Sequence, residues 1–286
     1  MEKISGTQIS NTIIEELKIE ADNLKAKNIL PTLAVILVGN DPASAIYVNN
    51  KKKACQKVGI ISLEKTLPEQ ISENKLLNII DELNNDQSVH GILCQLPLPP
   101  HINEKKIIER IDPKKDVDGI NPINIGRLCY GSPLYYPCTP FGIVQLLKRS
   151  NIEISGKHVV IVGRGPTIGR PLSIILSSKG FDSTVTVCHS KSTSIQTITK
   201  TADILVAAIG KAKFITKDFI KEGVVIVDVG INRIPDENSP SKSKVVGDVD
   251  FEDVFPKVRA ITPVPGGVGP MTVAMLMHNT ILAAKQ

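Results

Sequence analysis

The stretch VVIVGRGPTIGRPLSIIL, residues 159–176, passes from an apolar run through glycines and basic residues to a second apolar run. Its first four residues, Val159 to Val162, are all β-branched, which is typical of a fully buried strand. After the glycines, Leu172, Ile175 and Leu176 recur at helical spacing, so the stretch predicts a strand, a tight loop and a helix. Such a junction directs free backbone N–H groups and the positive end of the helix dipole at one point, which suits a pyrophosphate.

The glycine spacing in this loop is irregular. Gly163 and Gly165 match the first two positions of the pattern G-x-G-x-x-G, but position 168 is isoleucine and the third glycine, Gly169, comes one residue late. The pattern alone therefore leaves two interpretations open. One is a dinucleotide site, and the other is a glycine-rich loop that only makes a tight turn.

Strand-like and helix-like patterns alternate along both halves of the chain. In the first half, the pattern predicts helices near 9–27, 45–58, 73–83 and 104–111 and strands over 32–39, 60–67 and 89–98. In the second half, it predicts strands near 159–162, 184–188, 204–209 and 224–229 and a last helix over 271–285. Alternation at this period is typical of βαβ units, so we expect an α/β fold with parallel sheets.

Length and proline content indicate two domains. The chain has 286 residues, more than one domain usually holds, and the segment 112–140 contains five prolines, as expected where a chain crosses between domains. We predict one domain over residues 1–138, completed by a C-terminal helical segment at 270–286, and a second domain over residues 139–269.

Composition excludes several classes of protein. The formal charge of +5 is scattered except at Lys51–Lys53, and aromatic residues make up only 3% of the chain, so nucleic acid binding is not expected. The five cysteines, an odd number, form no C-x-x-C pair, which argues against a disulfide framework or a zinc site. The sequence contains neither an apolar run of membrane-spanning length nor a signal peptide pattern, so we expect a soluble, cytoplasmic protein.

The residues after the second strand of the glycine-loop unit favour NADP over NAD. An NAD site usually has a carboxylate there, about 20 residues past the glycines, to bind the ribose 2′-hydroxyl. This chain has His189, Ser190 and Lys191 instead, with Arg164 inside the loop, and donors and cations suit a 2′-phosphate. An ordinary polar loop after a strand is the alternative.

The predicted helix 45–58 has a row of functional side chains on one face. Tyr47, Lys51 and Cys55 lie four residues apart, so a phenol and an ammonium project next to each other. A lysine beside apolar surface has a lowered pKa and can take and return protons near neutral pH. The alternative is an exposed amphipathic helix without a catalytic role.

Three further features are candidates for a binding site. Gln95 is a polar residue inside an apolar run at the carboxyl end of a predicted strand, where open α/β sheets bind ligands, although a buried glutamine bonded to backbone is the alternative. Asp116 and Asp118 lie in the turn-forming string KKDVDGINP and suit substrate binding or turn capping better than a metal. The loop TPVPGGVGPMT, 262–272, contains glycines that would allow close approach of a flat ligand.

The order of these strings along the chain resembles a known family. YVNNKKKAC, GILCQLPLP, KDVDGINP, PCTPFG, GRGPTIGRP and ITPVPGGVGPMT together resemble the bifunctional methylenetetrahydrofolate dehydrogenase/cyclohydrolase family, over about residues 5–285. The resemblance implies an N-terminal parallel-sheet catalytic domain and a C-terminal Rossmann-type NADP-binding domain. It also implies oxidation of 5,10-methylenetetrahydrofolate with NADP and hydrolysis of the methenyl product to 10-formyltetrahydrofolate in one cleft between the domains.

The resemblance assigns roles to individual residues. It implies that Lys51 is the acid/base group of the hydrolysis, that Tyr47 packs against and orients the folate, that Gln95 holds Lys51, and that Asp118 binds the pterin ring. The other implied substrate-binding residues are Pro265, Gly266 and Gly267. The implied cofactor-binding residues are Gly163, Arg164, Gly165, Thr167, Ile168, Gly169, His189, Ser190 and Ile231.

The chain departs from the family at one position in the glycine loop. Many members have Arg-Ser where this chain has Arg164-Gly165, so one hydroxyl for the 2′-phosphate is missing and the strictness of NADP over NAD stays open. The resemblance also implies a homodimer formed through the nucleotide-binding domain. A non-enzymatic dinucleotide sensor and a dehydrogenase for an amino or hydroxy acid are the rival interpretations.

Overall fold

The computed structural model describes residues 1–236 and 239–286. The helices are α1 (Gly6–Lys25), α2 (Pro42–Val58), α3 (Glu73–Asn85), α4 (Glu104–Arg110), α5 (Pro122–Cys129), α6 (Cys138–Arg149), α7 (Gly169–Ser177), α8 (Ile195–Thr199), α9 (Phe251–Val254) and α10 (Val268–Ala284). The strands are β1 (Glu2–Lys3), β2 (Thr32–Val38), β3 (Ile61–Leu67), β4 (Gly91–Cys94), β5 (His158–Val162), β6 (Thr184–Cys188), β7 (Ile204–Ala207), β8 (Val225–Asp228), β9 (Asn232–Asp236), β10 (Ser239–Val246) and β11 (Ala260–Ile261).

The chain divides into two compact units. One consists of Met1–Ser10 with Thr139–Thr272, and the other of Asn11–Cys138 with Val273–Gln286. The first ten residues therefore group with the C-terminal unit and not, as predicted, with residues 11–138. The physical reason is strand pairing, because β1 adds to β11 in parallel, with Glu2 opposite Ala260 and Lys3 opposite Ile261.

The unit of Asn11–Cys138 and Val273–Gln286 is built on a three-stranded parallel sheet in the order β3-β2-β4. All seven residues of the central strand β2 are buried, which explains why TLAVILV is a continuous apolar run. The edge strand β3 is largely exposed. On the opposite edge, Ile92 of β4 forms a parallel bridge to Asp116, which brings the KKDVDG segment alongside the sheet.

Two predictions for this unit need correction. The strand predicted over 89–98 covers only Gly91–Cys94, because the following prolines, among them Pro97 and Pro99, have no N–H to donate to a sheet. The segment 112–140 contains helix α5, which was not predicted. Pro122 lies in its first turn, where a missing N–H is not needed, and Asn121 caps the helix by accepting from the N–H of Ile123.

The unit of Met1–Ser10 and Thr139–Thr272 contains a six-stranded parallel sheet in the order β1-β11-β8-β7-β5-β6. The strand order reverses at β5, which has β6 on one side and β7 on the other. In open α/β sheets, ligands bind at the carboxyl ends of the strands at such a reversal, and the loop of Gly163 follows β5 there. The predicted α/β fold class with parallel sheets is confirmed. The antiparallel pair β9–β10 was not predicted.

Among the helices of the described residues, none combines the length and the apolar composition that crossing a membrane requires.

Candidate active site

Helix α2 carries Lys51, and the local sequence fixes both ends of this helix. Asp41 precedes the helix, and its carboxylate accepts a hydrogen bond from the backbone N–H of Ser44 at 2.7 Å. Gly59 ends the helix in the left-handed conformation, with φ of 90°, which glycine adopts at little cost. Within α2, Tyr47 and Lys51 are both half-buried and lie one turn apart, as the spacing predicted.

The Lys51 ammonium has a fixed partner and lies close to the carboxylate of Asp118. Its Nζ donates a hydrogen bond to Oε1 of Gln95 at 2.8 Å. Burial lowers the pKa of Lys51 by removing water from the ammonium, while the charge of Asp118 acts in the opposite direction. A desolvated lysine of this kind reaches its neutral form more readily than an exposed one, and the neutral amine is a base.

Gln95 lies directly after β4, at the carboxyl end of the strand. Its backbone N–H donates to the carbonyl of Ile36 at 2.9 Å, which continues the sheet by one bond. Its side-chain Nε2 donates to the carbonyl of Leu96 at 2.6 Å. Because the amide nitrogen is engaged there, the amide oxygen is the atom that faces Lys51, and the glutamine acts as an acceptor for the ammonium.

The two aspartates of the KKDVDG string have different surroundings. Asp116 is buried and caps its own turn: one oxygen accepts from the N–H of Asn121 at 2.8 Å and the Nδ2 of Asn124 at 2.8 Å, and the other from the N–H of Ile120 at 3.3 Å. Burial raises the pKa of Asp116 to about 6 despite these bonds. Asp118, in contrast, is half-buried and close to Lys51. Asp116 therefore shapes the loop, and Asp118 is the carboxylate available for chemistry.

The surroundings of Asp118 are held by residues that sequence analysis did not assign to the site. Burial raises the pKa of Asp118, while the charge of Lys51 and a hydrogen bond from Cys138 lower it. Asn279 of α10 donates through Nδ2 to the carbonyl of Val117 at 2.8 Å, so the residue before Asp118 is fixed by a buried amide. An isolated asparagine in an apolar helix gives little sequence signal for such a role.

Cys55, the third member of the predicted row on α2, faces the core. It is fully buried, and its Sγ lies 3.6 Å from Sδ of Met277. Burial raises the pKa of this thiol to about 12. It is therefore a packed, unreactive side chain, since the thiolate is the reactive form of cysteine.

In the other unit, the glycine loop has a tightly packed backbone. Gly163 has φ of 134°, and a Cβ there would lie 2.0 Å from the carbonyl oxygen of Ala208, which follows β7. A Cβ on Gly169 would lie 2.1 Å from the carbonyl oxygen of Gly163. The glycine that comes one residue late thus lets helix α7 approach the loop closely, as the third glycine of the usual pattern does.

The loop also leaves N–H groups and side chains accessible. Helix α7 begins at Gly169 without a side-chain cap. The N–H of Arg170 donates to the carbonyl of Gly165 at 3.1 Å and Pro171 has no N–H, so at the start of this helix the N–H of Gly169 is the one left for an anion. Gly163 N donates to the carbonyl of Cys188 at 2.9 Å, which joins the loop to the end of β6. The other predicted cofactor residues are exposed or half-buried: Arg164, Gly165, Thr167, Ile168, His189, Ser190 and Ile231.

The glycines in the loop of Pro265, Gly266 and Gly267 also have a role in the packing and conformation of the chain. Gly266 has φ of 104°, and its carbonyl accepts from the N–H of Thr7 at 3.1 Å. A Cβ on Gly267 would lie 2.6 Å from the carbonyl oxygen of Pro263. Gly266 is therefore required by its backbone conformation, and Gly267 by the close packing of the chain. Pro265 is exposed and Gly267 is buried.

No group of three or more His, Cys, Asp or Glu side chains suited to hold a metal ion occurs among residues 1–236 and 239–286. The five cysteines are free thiols, and all except Cys129 are buried.

Two family models match the chain. The model for the tetrahydrofolate dehydrogenase/cyclohydrolase catalytic domain matches residues 4–118, and the model for the NAD(P)-binding domain of the same family matches residues 137–286. The bifunctional protein FolD of Lachnoclostridium phytofermentans is 55% identical over 283 residues, which cover 99% of this chain and 98% of that protein.

Solved structures give the same result. The bifunctional enzyme FolD, a methylenetetrahydrofolate dehydrogenase/cyclohydrolase from Campylobacter jejuni, is 49% identical with a TM-score of 0.94, and the match covers 100% of this chain and 99% of that one. The dehydrogenase-cyclohydrolase of Trypanosoma brucei, solved with NADP and an inhibitor, is 36% identical with a TM-score of 0.93, covering 99% and 97% of the two chains.

Proposed function

Because the chain belongs to the tetrahydrofolate dehydrogenase/cyclohydrolase family, we propose that it is a bifunctional enzyme of one-carbon metabolism. It oxidises 5,10-methylenetetrahydrofolate to 5,10-methenyltetrahydrofolate with NADP, and it hydrolyses the methenyl compound to 10-formyltetrahydrofolate. The observation that carries this proposal is the desolvated Lys51, bonded to Gln95 at 2.8 Å and close to Asp118. A sensor without catalytic activity has no need for such a buried amine.

Lys51 is the acid/base group of the hydrolysis. Water adds to the methenyl carbon and must lose a proton, and the neutral amine of Lys51 takes it. The bond from this carbon to the pteridine ring nitrogen then breaks as the new hydroxyl loses its proton to solvent and becomes the formyl carbonyl, and the Lys51 ammonium returns the first proton to the ring nitrogen. Burial supports this cycle because it lowers the pKa of Lys51, which brings the two protonation states closer together near neutral pH.

Gln95 and Asp118 prepare Lys51 and the substrate. The oxygen of Gln95 accepts from the ammonium and so keeps the amine in one position through the cycle. Asp118 accepts hydrogen bonds from the amino and amide N–H groups on the edge of the pterin ring, which a carboxylate can bind in pairs. Tyr47, one turn before Lys51 on α2, packs against the folate and orients it. Pro265, Gly266 and Gly267 are further proposed substrate contacts.

The residues around the glycine loop fit a dinucleotide. The N–H of Gly169 at the start of α7 suits the pyrophosphate, and the exposed Arg164 with Ser190 suits the 2′-phosphate of NADP. Ile231 is 50% exposed beyond the end of β8, and it offers apolar surface to the cofactor. Gly163, Gly165, Thr167, Ile168, Gly169 and His189 complete the proposed cofactor site. When bound, NADP accepts the hydride from the substrate.

We also propose that the enzyme is a homodimer formed through its nucleotide-binding unit, that it works in the cytoplasm, and that it binds no nucleic acid. The four buried thiols suit a reducing compartment, since cysteines in the cytosol stay unpaired. Sedimentation at several concentrations tests the dimer, and a species with the mass of one chain at all of them would contradict it.

The deciding experiment follows the absorbance of methenyltetrahydrofolate. An enzyme with both activities forms this compound from methylenetetrahydrofolate when NADP is added and then consumes it. Without NADP it still hydrolyses added methenyltetrahydrofolate. A protein that binds the cofactor but gives neither signal would be a sensor, and turnover of hydroxy or amino acids without folate turnover would support the other rival. Running each assay with NAD as well measures the cofactor preference.

A further inference from the structure

A buried carboxylate organises the loop that follows β7. Asp248 is fully buried, and its two oxygens accept hydrogen bonds from three consecutive backbone N–H groups. Oδ2 accepts from Ile209 at 2.6 Å and Gly210 at 2.8 Å, and Oδ1 accepts from Lys211 at 2.9 Å. Oδ1 also accepts from Nδ2 of Asn232 at 2.8 Å. The loop therefore wraps around this carboxylate as backbone nests wrap around bound anions.

A second buried carboxylate holds Asp248 in place. Oδ1 of Asp228 accepts from the N–H of Asp248 at 2.9 Å, and Oδ2 accepts from the N–H of Val249 at 3.0 Å. Oδ1 of Asp228 also accepts from the N–H of Gly230 at 3.0 Å. The ends of β7 and β8 are thus linked through two aspartates, neither of which was singled out from the sequence.

Two glycines make room for these carboxylates. A Cβ on Gly230 would lie 2.3 Å from Oδ1 of Asp248, and a Cβ on Gly247 would lie 1.7 Å from Oδ2 of Asp228. The carboxylates are therefore enclosed by backbone on the sides where side chains would otherwise lie. This close packing leaves little freedom for the loop to change its shape.

The loop that Asp248 organises contacts the glycine loop. The N–H of Ala208 donates to the carbonyl of Val162 at 2.9 Å, and the carbonyl oxygen of Ala208 occupies the space that a Cβ on Gly163 would need. Residues 208–211 and the glycine loop are therefore neighbours at the carboxyl ends of β7 and β5, where the strand order reverses. A change in residues 208–211 therefore alters the surface against which the glycine loop packs.

We propose that Asp248 is a positioning residue for the nicotinamide nucleotide: it holds residues 209–211 in the shape that completes the cofactor site beside Gly163. This inference rests on the proposed function. Because the three N–H groups are bonded to Asp248, they are not donors to a cofactor phosphate, and the loop contributes its carbonyls and its shape. Asp228 supports Asp248 and so acts one step further from the cofactor.

The test is an Asp248→Asn variant. The asparagine side chain has one acceptor oxygen where the aspartate has two. At least one N–H of the loop therefore loses its acceptor and faces the NH2 group of the asparagine. We expect the Kd and KM for NADP to rise about tenfold or more, because a hydrogen bond to a charged group is lost at the site wall. The KM for methylenetetrahydrofolate and the rate of methenyltetrahydrofolate hydrolysis, which needs no cofactor, are expected to stay within about twofold.

Binding can be measured without turnover. The chain has no tryptophan, so the fluorescence of NADPH reports its binding without protein background. The matched control is Asp203→Asn, just before β7, where the carboxylate accepts from the N–H of His158 at 3.0 Å and from Lys221 at 2.8 Å. This variant is expected to bind NADPH like the wild type. Hydrolysis in both variants checks the unit that holds Lys51, and urea unfolding checks that the unit with Asp203 and Asp248 is folded.

A second variant covers the case in which Asp248→Asn does not fold. Gly210 has φ of 73° and open space around its Cβ position, so Gly210→Ala changes the backbone preference of the loop and removes no contact. It is expected to weaken NADPH binding about threefold or more with hydrolysis unchanged. A folded variant of either kind that binds NADPH like the wild type overturns the inference. A wild-type protein without folate turnover overturns the proposed function, whatever the variants do.

Discussion

The Lys51 cluster consists of Lys51, Gln95 and Asp118 and acts through side chains. The glycine loop of residues 163–169 acts through its backbone. The cluster uses side-chain atoms, such as Nζ of Lys51 and Oε1 of Gln95, on a helix and a strand end that form without them. The loop uses backbone, and its Gly163 and Gly169 lie where a Cβ would meet carbonyl oxygens at 2.0 and 2.1 Å. A substitution in the Lys51 cluster can therefore remove activity without unfolding the protein. A substitution at Gly163 or Gly169 is expected to change activity and stability together.

The largest expected effect is on Lys51. Lys51→Met keeps the length of the aliphatic side chain and removes the base, so methenyltetrahydrofolate hydrolysis should fall by about 100- to 10,000-fold. The free energy of unfolding should stay the same or rise, since a desolvated ammonium no longer has to be buried. Hydrolysis rates and urea unfolding measure the two quantities.

The matched control is Lys53→Met, on the same helix but with an exposed side chain. It should leave both hydrolysis and unfolding unchanged. Hydrolysis by Lys51→Met at the wild-type rate would show that the base is another group, and a large loss of stability would contradict the separation of function from fold in the Lys51 cluster.

The glycine loop should respond in the opposite way. Gly163→Ala places a Cβ 2.0 Å from the carbonyl oxygen of Ala208 at φ of 134°, so the loop must shift. We expect a loss of about 3 kcal/mol in unfolding free energy together with weaker NADP binding, from backbone strain and overpacking. Gly165→Ala, whose Cβ would meet no atom within 4 Å, should change stability by less than about 0.5 kcal/mol. Equal effects of the two substitutions would mean that the loop does not pack as described.

Arg164 tests whether a side chain adds selectivity to this backbone site. Arg164→Ala should weaken NADP binding by about 1–3 kcal/mol and NAD binding much less, because a charge-assisted pair with the 2′-phosphate is lost. Lys179→Ala, an exposed cation after the end of α7, is the control. If NADP and NAD lose affinity equally, Arg164 does not contact the 2′-phosphate.

The smallest expected effect concerns Asp116, the structural neighbour of Asp118. Its pKa is raised from 3.8 to about 6, so the folded state holds a proton that the unfolded state has released, and this contribution to stability is lost as pH rises through 6. Between pH 5 and pH 7 the loss is about 1 kcal/mol. Urea unfolding of wild type and Asp116→Asn at both pH values should show this difference in pH dependence. A parallel dependence in the two proteins would mean that Asp116 titrates with its ordinary pKa.

The site residues differ in how well the sequence predicted their surroundings. The spacing of Tyr47 and Lys51 and the place of Gln95 after a strand indicated two members of the Lys51 cluster, because helical and strand periods fix which face a residue shares. The spacing could not distinguish Asp116 from Asp118, since both lie in one polar turn. Only the folded chain shows that Asn121 and Asn124 donate hydrogen bonds to the carboxylate of Asp116. Asn279 and Asp248 were missed because their partners lie far away in the sequence or in loops without a periodic pattern.

The sequence by itself determined the class of fold, the alternation of most strands and helices, the glycine turn at 163–169 and the side chains available for chemistry, since these follow from local periodicity and from residue type. The tertiary structure alone decided that β1 joins β11, that Asp118 lies close to Lys51, and that Asp248 holds the loop after β7. Each of these depends on contacts between segments distant in the chain, whose free energy arises from burial and hydrogen bonding that no local pattern records.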